Sequence, residues 1–145
     1  MKFYVVFDTN VIVSSLLSKN LESPTVRVVD MISEGQIIPV FSQEILDEYT
    51  DVLLRPKFPF SVQTVERLMK IFLQFGQKIE PAETDEPFLR DSDDRVFYEV
   101  VMAKRNDVAE NESAYLVSGN LKHYPIKTFI VTPAEMLDII NKRLA

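Results

Sequence analysis

Cysteine is absent from the 145 residues, which excludes disulfide frameworks, thiolate nucleophiles and cysteine-ligated zinc or iron–sulfur sites. Histidine occurs once, at His123, so a two-histidine metal site is impossible and any Ser-His-Asp arrangement would have to include that residue. Three glycines leave little from which to build a Gly-rich phosphate loop. The apolar run before Asp8 is only five residues long, too short for a signal-peptide core or a membrane span, so a cytoplasmic protein is expected. Bases are outnumbered by acids, 16 to 22, and the net charge of -6 argues against broad electrostatic capture of nucleic acid. Any nucleic-acid role must come from a local site in which bound cations offset the acids. What remains is a globular composition, 46% hydrophobic and 26% charged, of a length that suits one domain over residues 1–145 with a sizeable core.

The pattern along the chain alternates between strand and helix signals. Phe3 to Phe7 is a β-branched and aromatic run that predicts a strand ending on Asp8, with a short helix over Asn10 to Leu17. Ser23 and Pro24 form an N-cap and first helical position, Val26, Val29 and Ile32 share a face, and Gly35 marks the stop. "QIIPVF" is a second strand whose Pro39 points to an edge or a strand end. Ser42 caps a helix with Ile45, Leu46, Tyr49, Val52 and Leu53 on one side, closing at Arg55-Pro56. Ser61 or Thr64 opens the next, with Val65, Leu68, Met69 and Phe72 inward and Gly76 near its end, and "QKIEP" suggests a brief third strand. After an acidic stretch from Glu80 to Asp94 come a helix carrying Val96, Phe97, Val100 and Val101, a strand and turn in "AYLVSGN", and a strand in "KTFIV". A final helix opens on the capping box of Thr132 and Glu135. Such alternation implies crossover connections and a mostly parallel α/β sheet with helices on both faces. Ligands of these sheets bind beyond the carboxyl ends of the strands, where Asp8 and the Ser118 to Asn120 turn fall.

Four groups of residues could carry chemistry. Asp8 either caps the following helix or presents a carboxylate to a cation, with Asn10 placed to orient it. Glu44 and Glu48 lie four apart on one helix and project from the same side, as ligands or as ordinary dipole and surface residues. Asp91, Asp93 and Asp94 crowd the start of a later helix; they can favour its dipole, yet three carboxylates in four residues repel, and a hard divalent cation such as magnesium or manganese relieves that. Ser118 and Asn120 offer a hydroxyl and an amide, or form a plain turn about Gly119, and His123 is expected at the surface.

Taken in order, these segments resemble the PIN domain, a metal-dependent nuclease fold, and specifically its branch of toxin components of toxin–antitoxin systems. "FDTNVIVSSLL" is similar to the family's opening motif, with Asp8 as first acid and Asn10 as companion. "FSQEILDEYTDVLLRPKF" resembles the branch's Ser-led helix and Arg-Pro-Lys-Phe segment, placing the second acid at Glu48 with Glu44 nearby. "DSDDRVFYEVVMA" resembles the third acidic block, with Asp94 at the motif position and Asp91 and Asp93 flanking it. "YLVSGNLKHYP" resembles the strand and turn that commonly end in Thr-Gly-Asp; Ser118 replaces threonine and Asn120 stands where many members have aspartate, one negative charge fewer, which bears on whether a second metal is held.

The resemblance implies a three-layer α/β/α sandwich on a five-stranded parallel sheet in the order 3-2-1-4-5. It implies an endoribonuclease that hydrolyses single-stranded RNA with one or two magnesium or manganese ions on Asp8, Glu48 and Asp94, supported by Asp93 and Asn120. Asn10, Ser118, Glu44 and Asp91 would orient the ligands, and Arg55, Lys57, Arg90 and Lys122 would hold flanking phosphates. A small antitoxin and a homodimer are the implied partners. Two other readings stand beside it: a PIN-like RNA-binding or protein-binding module with a weakened site, and a phosphoryl-accepting receiver domain. The receiver reading needs an aspartate ending the third strand, which "QKIEP" lacks, and a lysine after the last strand, whereas Lys127 precedes it.

Overall fold

The computed structural model describes residues 2–83, 86, 87, 89, 92–107 and 114–144. Arg90 and Asp91 lie outside the described residues. The elements follow the expected order: β1 (Phe3–Phe7), α1 (Thr9–Leu17), α2 (Pro24–Ser33), β2 (Ile37–Phe41), α3 (Gln43–Leu53), α4 (Val62–Phe75), β3 (Gln77–Lys78), α5 (Arg95–Arg105), β4 (Ala114–Val117), β5 (Ile130–Val131) and α6 (Pro133–Leu144). A single turn of 3-10 helix, Leu121–His123, lies between β4 and β5.

Local sequence explains most of these boundaries. Serine hydroxyls accept the backbone N–H three residues on at the start of α2 (Ser23 to Val26), α3 (Ser42 to Ile45) and α4 (Ser61 to Thr64). Thr132 and Glu135 close the capping box reciprocally, at 2.9 and 3.2 Å. At the end of α2, Gly35 takes φ +84°, and the paired bonds from Gly35 N–H to Ile32 and from Gln36 N–H to Met31 satisfy the last carbonyls.

All four strand pairings are parallel, and the strand order is β3-β2-β1-β4-β5. The sheet is flanked by helices as a three-layer α/β/α sandwich: α1, α2 and α6 pack in succession on one another, α3 packs on α4 and α5, and both groups meet the strands. Being central, β1 is buried along nearly its whole length, with Phe3, Val5, Val6 and Phe7 all inaccessible, as a parallel strand covered on both faces requires. The chain runs β1, β2, β3 outward in one direction and then returns to place β4 on the other side of β1. The resulting crevice between the carboxyl ends of β1 and β4 is where doubly wound sheets bind ligands.

Pro39 departs from the expected edge or strand end. It pairs with Val5 in the interior strand β2. Its carbonyl points to Gly76, before β3 begins, and the β2–β3 ladder starts only at Val40 opposite Gln77. The missing N–H therefore removes no ladder bond.

Gly76 is required by this close approach. A Cβ there would lie 2.5 Å from the Pro39 carbonyl oxygen, 2.6 Å from that of Phe72 and 2.7 Å from the Phe41 ring, whereas one at Gly119 would meet nothing within 4 Å. Gly76→Ala is expected to lower unfolding free energy by about 1–3 kcal/mol in urea denaturation, with Gly119→Ala close to wild type; equal stability of the two variants would contradict the packing described.

Candidate active site

The β1–β4 register sets Phe7 opposite Val117, so the next residues, Asp8 and Ser118, leave the two strands side by side. Asp8 is 2% exposed. A carboxylate so buried would cost several kcal/mol if left without partners, and three donors compensate it. Oδ1 accepts the Asn10 backbone N–H at 3.1 Å, which makes Asp8 the cap of α1, while Oδ2 accepts the Ser118 hydroxyl at 3.0 Å and the Tyr124 hydroxyl at 2.7 Å. Burial and the neighbouring Asp8 charge push the Tyr124 phenol well above its ordinary value, so it remains protonated as a donor.

Glu48 is brought toward Asp8 by the residue after it. The buried Tyr49 donates its hydroxyl to the Phe7 carbonyl, tying α3 to the end of β1. Its ring meets Phe72 edge-on at 5.5 Å and stacks with Phe97 at 6.3 Å, while Phe72 also contacts Phe7 and Phe41. This aromatic cluster, fully inside the core, fixes the relative positions of β1, α3, α4 and α5.

Asp94 sits at the N-terminus of α5 without capping it by its side chain. Its carboxylate is turned instead to Ser92 Oγ at 3.5 Å and to His123 Nδ1 at 3.1 Å. Asn120 Nδ2 lies 3.0 Å from His123 Nε2. The His123 ring thus lies between the Asp94 carboxylate and the Asn120 amide.

Asp8, Glu48, Asp93 and Asp94 line one cleft of about 190 Å³, together with Thr9, Asn10, Arg55, Lys57, Phe58 and Phe97 among others. Its electrostatics record the convergence. Burial raises the Glu48 carboxyl above its ordinary value; Asp51, Asp93 and Asp94 add to the effect and Arg55 opposes it. Burial likewise raises Asp94, with Asp8 the next contributor and His123 opposing. Thr9, 6% exposed, also lines this cleft, and its buried hydroxyl has no hydrogen-bond partner among the described residues. Among the described residues no three Asp, Glu or His side chains are gathered tightly enough to hold a metal ion as they stand. In chemistry the donors nevertheless fit a hard divalent cation: carboxylate oxygens held against mutual repulsion, an orphaned hydroxyl, and no sulfur.

A family model described as PIN domain matches residues 4–122, which includes every one of these acids. The chain belongs to the PIN domain family. No curated protein and no solved structure matches it significantly. PIN domains are a nuclease family, generally metal-dependent, that binds RNA and often serves in toxin–antitoxin systems. Among the described residues, no helix is long and apolar enough to cross a membrane.

Within this PIN domain the other expected site residues fall into three sets. Arg55 and Lys57 line the acidic cleft, Arg55 also pairing with Asp51 at 3.0 Å. Ser118 and Asn10 both reach Asp8, Asn10 through its backbone N–H. Glu44 instead faces Arg95 at 3.8 Å and lines a separate cavity with Ser42, Gln43 and Lys78, while Lys122 lines one with Leu121, Tyr124, Pro125 and Ile126. Residues that sequence reasoning passed over are Tyr124, Thr9 and, as a site neighbour, His123. The adjacency of His123 and Tyr124 just after the polar turn was the available signal.

Because Glu48 and Asp94 bind a proton more readily folded than unfolded, their contribution to stability without metal falls as pH rises from about 4 through their raised folded values. Asp94→Asn removes its share. At neutral pH in EDTA this variant is expected to melt above wild type, by roughly 2–4 °C for each kcal/mol of repulsion relieved, and to lose the advantage toward pH 4. A lower melting temperature at neutral pH would contradict the electrostatic picture.

Proposed function

We propose that this PIN domain, one domain over residues 1–145, is an endoribonuclease that hydrolyses single-stranded RNA with magnesium or manganese. It would act in the cytoplasm as the toxin of a toxin–antitoxin pair, blocked by a small antitoxin and working as a homodimer. One observation carries the reading: carboxylates from β1's end, α3 and the start of α5 converge on a single cleft that two cationic side chains also line. Asp8, Glu48 and Asp94 would hold the ion, with Asp93 and Asn120 in support. A divalent ion there supplies Lewis-acid chemistry, activating water and neutralising charge on the scissile phosphate.

The chain's own residues do the rest. Ser118, Tyr124 and the Asn10 N–H hold Asp8 in one orientation, and His123 holds Asp94. Arg55 and Lys57 would grip phosphates flanking the scissile one, a local source of attraction in a protein whose net charge is negative. No histidine base is needed. A second reading, a PIN-like RNA-binding or protein-binding module with a weakened site, draws on Asn120, whose neutral amide is bonded toward His123.

Labelled single-stranded RNA incubated with purified protein and magnesium or manganese separates the two. Cleavage is expected with metal and not with EDTA, falling at least about a thousand-fold in Asp8→Asn, because several kcal/mol of transition-state stabilisation leaves with the ion. Metal-independent RNA binding with no cleavage would favour the weakened module. Lys57→Ala is expected to raise KM several-fold with kcat near wild type and to lessen the salt dependence of RNA binding by about one counterion; a loss confined to kcat would place Lys57 in a different role.

A further inference from the structure

We infer that Tyr124 and Ser118 reserve Asp8 for a single divalent cation, so that this carboxylate does not bridge two ions. The inference rests on the metal-dependent reading above and extends it to the number of ions and to a positioning role for Tyr124. A carboxylate has about four acceptor positions, two on each oxygen. On Asp8 both positions of Oδ2 are taken, by Tyr124 Oη at 2.7 Å and Ser118 Oγ at 3.0 Å, and one of Oδ1 is taken by the Asn10 N–H at 3.1 Å. Among the described residues nothing takes the last acceptor position. A carboxylate spanning two ions about 3.5–4 Å apart has to give an acceptor position to each.

The donors on Oδ2 are not readily displaced. Ser118 is 0% and Tyr124 3% exposed, so water does not reach them to take their protons. The Ser118 oxygen also accepts the Asn120 N–H at 3.0 Å, which leaves its own proton for Asp8. Tyr124 is held from behind by the 3-10 turn, its N–H bonded to the Leu121 carbonyl at 3.1 Å. That turn also delivers His123 to Asp94, so one short segment orients two acids that come from different elements.

The test is Mn²⁺ binding to the purified protein without RNA, followed by calorimetry and by the electron paramagnetic resonance of free and bound Mn²⁺. Wild type is expected to bind one ion per chain in the cleft, and Asp8→Asn to bind none. Tyr124→Phe, with a circular dichroism spectrum like wild type, is expected to bind about tenfold more weakly, since partners that orient a ligand carboxylate contribute to affinity on that scale. Its bound-ion spectrum should return at higher Mn²⁺. Should Tyr124→Phe not fold, Ser118→Ala removes the other donor to the same oxygen and carries the same expectation. Two ions per wild-type chain, both lost in Asp8→Asn, would overturn the inference, as would unchanged affinity in Tyr124→Phe or no binding by wild type at millimolar Mn²⁺. The RNA assay keeps the two readings apart. One ion, weakened in Tyr124→Phe, with no RNA cleaved sustains this inference and sinks the ribonuclease reading; two ions with metal-dependent cleavage does the reverse.

Discussion

The arrangement hinges on one buried charge. Asp8 lies at the carboxyl end of the central strand, almost wholly out of water, and is tolerable there only because hydroxyls and a backbone N–H surround it. Each of those donors comes from a different constraint: the helix that Asp8 itself caps, the parallel register that sets Ser118 beside it, and the turn after β4 that returns Tyr124. Helix capping and the proposed ligand role are therefore compatible in this residue. Donors from the fold reach both of its oxygens, and the residue also lines the acidic cleft.

A site of this kind works against the fold that carries it. Burial, with the neighbouring carboxylates adding to it, raises the protonation tendency of Glu48 and Asp94. The aromatic cluster of Phe7, Tyr49, Phe72 and Phe97 offsets this from beneath, clamping α3 and α5 to the strand ends so that the acids cannot simply move apart. The acidic cleft and the apolar cluster alternate along the same segments: Phe7 precedes Asp8, Tyr49 follows Glu48, and Phe97 is one helical turn beyond Asp94.

Features encoded within a few residues were legible in the sequence. Serine caps, the Thr132–Glu135 box, the Gly35 stop and the strand–helix alternation each predicted an element that formed, and the family resemblance supplied the strand order. Features that depend on what lies across the sheet were not. Pro39 read as an edge or a strand end because its neighbour's register is invisible locally; the interior position is tolerated because the β2–β3 ladder begins one residue later. Tyr124 is separated from Asp8 by 116 positions, and its place just after the polar turn hints at the site without showing which carboxylate it reaches. His123 read as a surface residue, and it is half-exposed, yet its ring spans Asp94 and Asn120. Glu44 and Glu48 share a helix side, but the Arg95 guanidinium draws Glu44 toward a neighbouring cavity.

The proposed function requires that these carboxylates form one cation site. The most direct measurement is anomalous diffraction from crystals of the protein grown or soaked with Mn²⁺. A manganese peak in the cleft, coordinated by Asp8 together with Glu48 or Asp94, is the predicted result. Crystals that take up Mn²⁺ elsewhere while this cleft stays empty would contradict the account.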